Sequence, residues 1–179
     1  GSYGVREIAR LHGAGIVDGG DETVTTALAQ HLASERPSAV LFAQTFDART
    51  IAPRLAARLS AGVVMNCTDL AAEGGAILAT VTAFGGDTRA VYRCSGAATY
   101  VFAIGANAVV AEPPEDSSAQ AKSATPPVRE VALDLSHVAP RVRVVERAQA
   151  AEGPRLEHAQ IVVAGGRGLG VPENFKLVE

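Results

Sequence analysis

The chain has no tryptophan, and aromatic residues make up only 4% of its 179 positions. A platform that stacks single-stranded bases has little to build on. Cysteine occurs only at Cys67 and Cys94, too few for a disulfide scaffold. Lysine occurs only at Lys122 and Lys176, against 14 arginines, and the net charge is −3. That balance gives no basic footprint, so a nucleic-acid partner is not expected. No apolar run approaches the roughly 20 residues of a membrane span, and Gly1-Ser2-Tyr3-Gly4 carries no secretory pattern. The expectation is a cytoplasmic protein that does not span a membrane.

Apolar residues make up 47% of the chain and charged residues 20%, an ordinary balance for a folded domain. Val5, Ile8, Ala9 and Leu11 fall near helical spacing and predict a helix from Val5 to His12, ended by Gly13. Gly15 to Asp18 is a short strand candidate. Asp21 reads as an N-cap, with Glu22 in the first turn. The helix that follows places Val24, Leu28 and Leu32 on one stripe and stops before Pro37. Ala39 to Ala43 is apolar without alternation, as in a strand buried on both faces of a parallel sheet. A helix from Thr50 to Ser60 has Ile51, Leu55 and Leu59 on one stripe and Arg49, Arg54 and Arg58 off it. Pro53 places its start near Thr50, or kinks it. Val63 to Cys67 is the next strand. This alternation predicts an α/β domain with a parallel core.

The texture then changes. Ala76 to Ala83, the turn Gly85-Gly86-Asp87, and Arg89 to Ser95 predict an antiparallel hairpin. Arg89, Val91 and Arg93 lie on its wet face, and Ala90, Tyr92 and Cys94 on its packed face. Tyr100 to Gly105 is another strand. Ala111 to Pro127 is a loop by composition, with four of the nine prolines. Val131, Leu133 and Leu135 predict an exposed strand, as do Val142 and Val144 between Arg141 and Arg143. Three segments result: a domain over 1–150, a linker over 151–159, and the start of a second domain over 160–179.

Catalytic patterns are missing. His12, His31, His137 and His158 have no ligand-spaced neighbours. Cys67 and Cys94 read as buried structural thiols. There is no nucleophile elbow, and a binding or carrier role is favoured over hydrolysis or group transfer. The informative segment is Ile161 to Phe175, which reads strand, glycine loop, helix. Pro172 suits the first helical position and Glu173 the positive helix end, although Val171 supplies no side-chain cap. Gly165, Gly166 and Gly168 allow a ligand to approach the backbone, and Arg167 adds a fixed positive charge. A phosphate, a pyrophosphate or an electron-rich cofactor ring would fit there. So would a purely structural tight turn. The spacing is neither the dinucleotide fingerprint nor the Walker loop.

Gly165-Gly166-Arg167-Gly168-Leu169 followed by Glu173-Asn174-Phe175-Lys176-Leu177 resembles the alpha subunit of electron transfer flavoproteins. Ile51-Ala52-Pro53-Arg54-Leu55-Ala56-Ala57-Arg58-Leu59, the Gly85-Gly86-Asp87 turn leading to Cys94, and Val142-Arg143-Val144-Val145-Glu146 are similar to family segments in the same order. The resemblance implies a Rossmann-like three-layer α/β domain with an added hairpin and strands, truncated at both ends, plus the opening of the FAD domain. It implies a heterodimeric electron carrier rather than an enzyme, paired with a beta subunit that commonly carries AMP. Electrons would come from flavin dehydrogenases such as acyl-CoA dehydrogenases, in fatty acid oxidation, and pass to a quinone reductase. Arg167 would contact FAD, with the backbones of Gly165, Gly166 and Gly168 beside it, and most FAD contacts would lie beyond Glu179. Two other readings remain open on the residues alone: a free-standing adenine-nucleotide-binding module, and part of an NAD(P)-dependent oxidoreductase.

Overall fold

Two sheets and two long helices organise the chain in the computed structural model, which describes residues 5–16, 20–106, 108–110, 125–139, 141–142, 145–146, 156 and 159–178. The elements are β1 (Ile8–His12), α1 (Gly20–Glu35), β2 (Ala39–Ala43), α2 (Phe46–Leu59), β3 (Gly62–Glu73), β4 (Ala76–Ala83), β5 (Thr88–Cys94), β6 (Tyr100–Ile104) and β7 (Val128–Ala132). The larger sheet has the order β2-β6-β3-β4-β5, and the smaller one pairs β1 with β7. β6 runs parallel to both β2 and β3, and β1 runs parallel to β7. The β3–β4 and β4–β5 pairs are antiparallel. The expected α/β class, Rossmann-like with a mostly parallel core and an added hairpin, describes this arrangement.

The core follows from strand alternation. On one face, Val101 of β6 meets Ala52 and Ala56 of α2, with Val40, Phe42 and Met65 around them. On the other face, Phe102 packs with Cys67, Ala79, Val81 and Cys94. β2 departs from the expected double burial. It is an edge strand, Val40 and Phe42 pack toward α2, and Leu41 is 60% exposed. A continuous apolar run does not say which of its faces finds cover.

Three other expectations are corrected. Residues 8–12 form a strand, because their partner is β7, 120 residues away in register, and no local period reports that. Arg10 meets Glu130, its register neighbour, at 2.9 Å. Gly13 is needed for space, since a Cβ there would come within 2.8 Å of the Leu133 carbonyl oxygen. α2 starts at Phe46, four residues before the predicted start, because Thr45 is the cap and its Oγ1 accepts from the Ala48 amide at 3.2 Å. Pro53 therefore lies inside the helix, on its exposed side. The residue whose amide bond it forfeits, Arg49, is also exposed, so water can satisfy that carbonyl. In α1, Asp21 is in the first turn and not the cap. Its buried residues are Thr23, Thr25 and Ala27, while Val24, Leu28 and Leu32 are half-buried.

The predicted hairpin forms, with β3 extending well beyond Cys67 to Glu73, but Tyr92, expected on its packed face, is exposed because nothing described covers that end of the ring. β7 stops at Ala132, short of Leu133 and Leu135, and Leu135 is buried. Residues 14–16 turn, and the rest of the Gly15–Asp18 candidate lies outside the described residues, as do 111–124, 143–144 and most of the predicted linker. The chain divides into two compact units, Gly1–Val145 and Glu146–Glu179.

The β4–β5 tip carries an avoidable cost. Phe84 has φ +50 and its ring is 84% exposed. Left-handed backbone is disfavoured for a bulky L-residue. Phe84→Asn should therefore raise unfolding stability by about 1 kcal/mol, read as a higher urea midpoint at unchanged slope. A lower midpoint would show that the phenyl ring makes a stabilising contact.

Candidate functional site

The glycine segment belongs to the smaller unit. Residues 161–166 run without a strand partner, and 3-10 turns follow at Arg167–Leu169 and Pro172–Leu177. The predicted strand and α-helix are therefore absent here. A strand needs a neighbour to take its amides, and among the described residues of this unit none is offered. Six residues from Pro172 are also too few to favour α-helical closure unaided. Val171 precedes the second turn with no side-chain cap bond, as its apolar side chain requires.

The glycines have different reasons for being glycine. Gly165 sits under the Leu169 side chain, which a Cβ would strike, with Phe175 Cε1 3.5 Å away. Gly170 has φ +76. Neither constraint applies at Gly166 or Gly168, where a Cβ would meet nothing within 4 Å. The loop is held by the Leu169 amide donating to Gly166 O at 3.0 Å and by Asn174 Nδ2 donating to Leu169 O at 2.6 Å. Exposed Arg167 stands between the two open glycines. It also borders a hollow of about 320 Å³ with Pro172 and Phe175. A cation beside uncluttered backbone can receive an anionic or electron-rich group, and this segment of the FAD contact named from sequence is compatible with that chemistry. A hollow of this size encloses only part of a dinucleotide-sized ligand.

Among the described residues no group of three or more His, Cys, Asp or Glu could hold a metal ion. His158 lies outside them. A second feature was missed by the sequence reading. At the carboxyl ends of β2 and β6, a hollow of about 310 Å³ is lined by Ala43, Gln44, Thr45, Ile104, Gly105 and Val109. Gln44 reaches to Asn66 of β3, whose amide donates to Gln44 Oε1 at 2.6 Å, and the two side-chain amides pair directly. Asn66 adopts φ +57 within β3. An asparagine inside a strand pattern was the available signal. The place is where open α/β sheets receive ligands, but the lining has no charge to fix one.

The family model described as "Electron transfer flavoprotein domain" matches residues 1–136. The chain belongs to the electron transfer flavoprotein family. It is 34% identical over 151 residues to "Protein FixB" of Clostridium saccharobutylicum, covering 82% of this chain and 43% of that protein. It is 36% identical over 156 residues to "Electron transfer flavoprotein subunit alpha" of Mycobacterium leprae, covering 87% and 46%. With the alpha subunit of Thermoanaerobacterium thermosaccharolyticum the identity is 29% over 160 residues, covering 88% and 47%. The match is to an alpha-type amino-terminal domain, and the chain spans less than half the length of the curated relatives it matches.

Within this family member the two cysteines are structural. Cys67 stands opposite Val81 and Cys94 opposite Ile77, four residues apart along β4. The register keeps them from facing each other as a redox pair. Burial pushes both thiols up from their ordinary value, so each stays a neutral, unreactive thiol. In the native chain at about pH 8, near the ordinary cysteine pKa, neither should react with Ellman's reagent over minutes. Both should react once the chain is unfolded. Rapid native reaction of either would contradict its burial.

Proposed function

We propose that this chain is the amino-terminal part of the alpha subunit of a heterodimeric, FAD-containing electron carrier. Residues 1–150 form its first domain, 151–159 the linker, and 160–179 the opening of the FAD domain. The carrier takes electrons from flavin dehydrogenases, such as acyl-CoA dehydrogenases of fatty acid oxidation, and passes them to a quinone reductase in the cytoplasmic setting. Its partner is the beta subunit, which carries AMP. Family membership and the subunit-alpha names of the relatives support this reading.

The observation that carries it is Arg167 between two glycines whose side-chain space is empty for no conformational reason. FAD, when bound, supplies the ring that takes up and releases electrons. The residues of this chain then have separate tasks. Gly166 and Gly168 leave the backbone bare for close approach. Leu169 covers Gly165 and, with the Asn174 side chain on its carbonyl, holds the loop in shape. The Arg167 guanidinium places a permanent positive charge there, which favours the electron-rich state of a nearby ring.

In the full-length subunit, Arg167→Ala should lower the flavin potential and weaken FAD retention during dialysis, because one positive charge is lost. Arg167→Lys should restore part of the potential. Equal potential and retention in wild type and Arg167→Ala would remove Arg167 from the site. Co-expression tests the assembly. The full-length subunit should elute with the beta subunit as a one-to-one complex, since a permanent interface buries about 2,000 Å² or more. A strictly monomeric elution profile by light scattering would overturn the carrier reading.

A further inference from the structure

The larger unit holds a cluster of cations that electron carriage does not use. Glu22 of α1, Arg54 and Arg58 of α2, and Arg141 border a hollow of about 300 Å³ floored by Ala57. Three guanidinium charges against one carboxylate leave two positive charges. Arg141 grips Glu22 with both ends of its fork, Nη2 to Oε1 at 3.2 Å and Nε to Oε2 at 3.4 Å, and its own amide adds a contact at 3.5 Å. The contact with Arg141, with Arg58 adding to it, holds the Glu22 carboxyl below its usual range. So the cluster already holds one planar anion.

Arg54 and Arg58 make no such ion pair among the described residues, where every ion pair involves Arg10, Arg129 or Arg141. The two side chains lie one helical turn apart, where like charges repel. Arg58 suits the last turn of α2, where a cation is favoured, and Arg54, one turn earlier, has no such reason. The neighbouring space is polarised. A larger hollow of about 560 Å³ shares Arg54 and Arg141 and continues to Phe46, Val142, Asp21 and Asp47. Phe46 and Val142 are 85% and 73% exposed, so their apolar surface is open to a ligand. The two aspartates are acceptors for hydroxyl groups.

We propose that Arg54, Arg58 and Arg141 bind the phosphate of a small, hydroxylated phosphomonoester, and that Glu22 is an internal competitor which the phosphate displaces from Arg141. A phosphate monoester carries about −1.5 to −2 at neutral pH, against the two positive charges left in the smaller hollow, whose lining does not include Asp21 or Asp47. A single carboxylate would leave one guanidinium bare. Arginine forks suit phosphate oxygens in pairs. The hollow is concave and small, so it fits a headgroup better than a polymer. A chain with net charge −3 offers no extended basic track for nucleic acid. The sugar or polyol portion lies toward Phe46, with Asp21 and Asp47 accepting from its hydroxyls. This inference stands apart from the carrier reading and neither depends on the other.

Calorimetric titration of the 179-residue chain with glucose 6-phosphate tests it, with glucose and a short polyglutamate peptide as controls. Saturable one-to-one binding is expected, with no response to glucose. Arg54→Ala/Arg58→Ala should weaken binding by about tenfold or more. Glu22→Gln should strengthen it by about threefold or more, because the competitor's charge is gone. The three substituted side chains are at the surface or its margin, and matching circular dichroism confirms that each variant is folded. No saturation by about 10 mM, unchanged or weaker binding by Glu22→Gln, or tighter binding of the peptide than of the sugar phosphate would each overturn the proposal.

Discussion

β6 is hydrogen-bonded along both edges and covered on both faces, and the larger unit is arranged around that condition. Its partners β2 and β3 run parallel to it. Val101, Phe102 and Ala103 are fully buried. Val101 meets the alanines of α2, and Phe102 meets the residues that β3, β4 and β5 contribute. A five-residue strand thereby joins two apolar clusters. Alanine suits the α2 side because its small side chain lets helix and sheet approach closely, and Leu55 adds bulk beside it at zero exposure. Large-to-small changes at such positions forfeit both transfer energy and packing. The chain has few large aromatic side chains, and among the described residues Phe102 is the one that is buried in the core. Tyr100 and Phe102 stack at 6.2 Å on the face away from α2.

Charge organises the surface in two ways. Between β1 and β7, Arg10 and Arg129 lie beside Glu130 and Glu7, and Arg129 also reaches Glu35 of α1. These pairs are exposed and worth little each. They do match a small parallel pair whose strands bury little. Beside α2, Arg141 is paired with Glu22, while Arg54 and Arg58 make no ion pair among the described residues.

The glycine loop shows why a motif and its geometry carry different information. Four glycines between 165 and 170 look alike in sequence. In the structure two of them answer to local constraints, Leu169 packing over Gly165 and a positive φ at Gly170. The other two face open space, where a Cβ would meet nothing within 4 Å. Arg167 lies between those two. The family match covers residues 1–136, so it says nothing about this loop, and the local geometry carries that argument by itself.

The sequence by itself determined the α/β class, the β4–β5 hairpin, the strand at Tyr100 and the buried thiols. These signals are local: alternation, helical stripes and turn residues. Local period also drew Val5 to His12 as a helix and Ile161 to Val163 as a strand. Tertiary structure decided otherwise, since a strand exists only where a neighbour takes its amides. β7 supplies one to residues 8–12 across 120 positions, and no described neighbour does so for 161–163. Which face of Ala39 to Ala43 is covered, which glycines are free, and which arginines share one hollow depend on packing between segments distant in sequence. No periodicity within a segment encodes them, because the contacts that fix them are made by other parts of the chain.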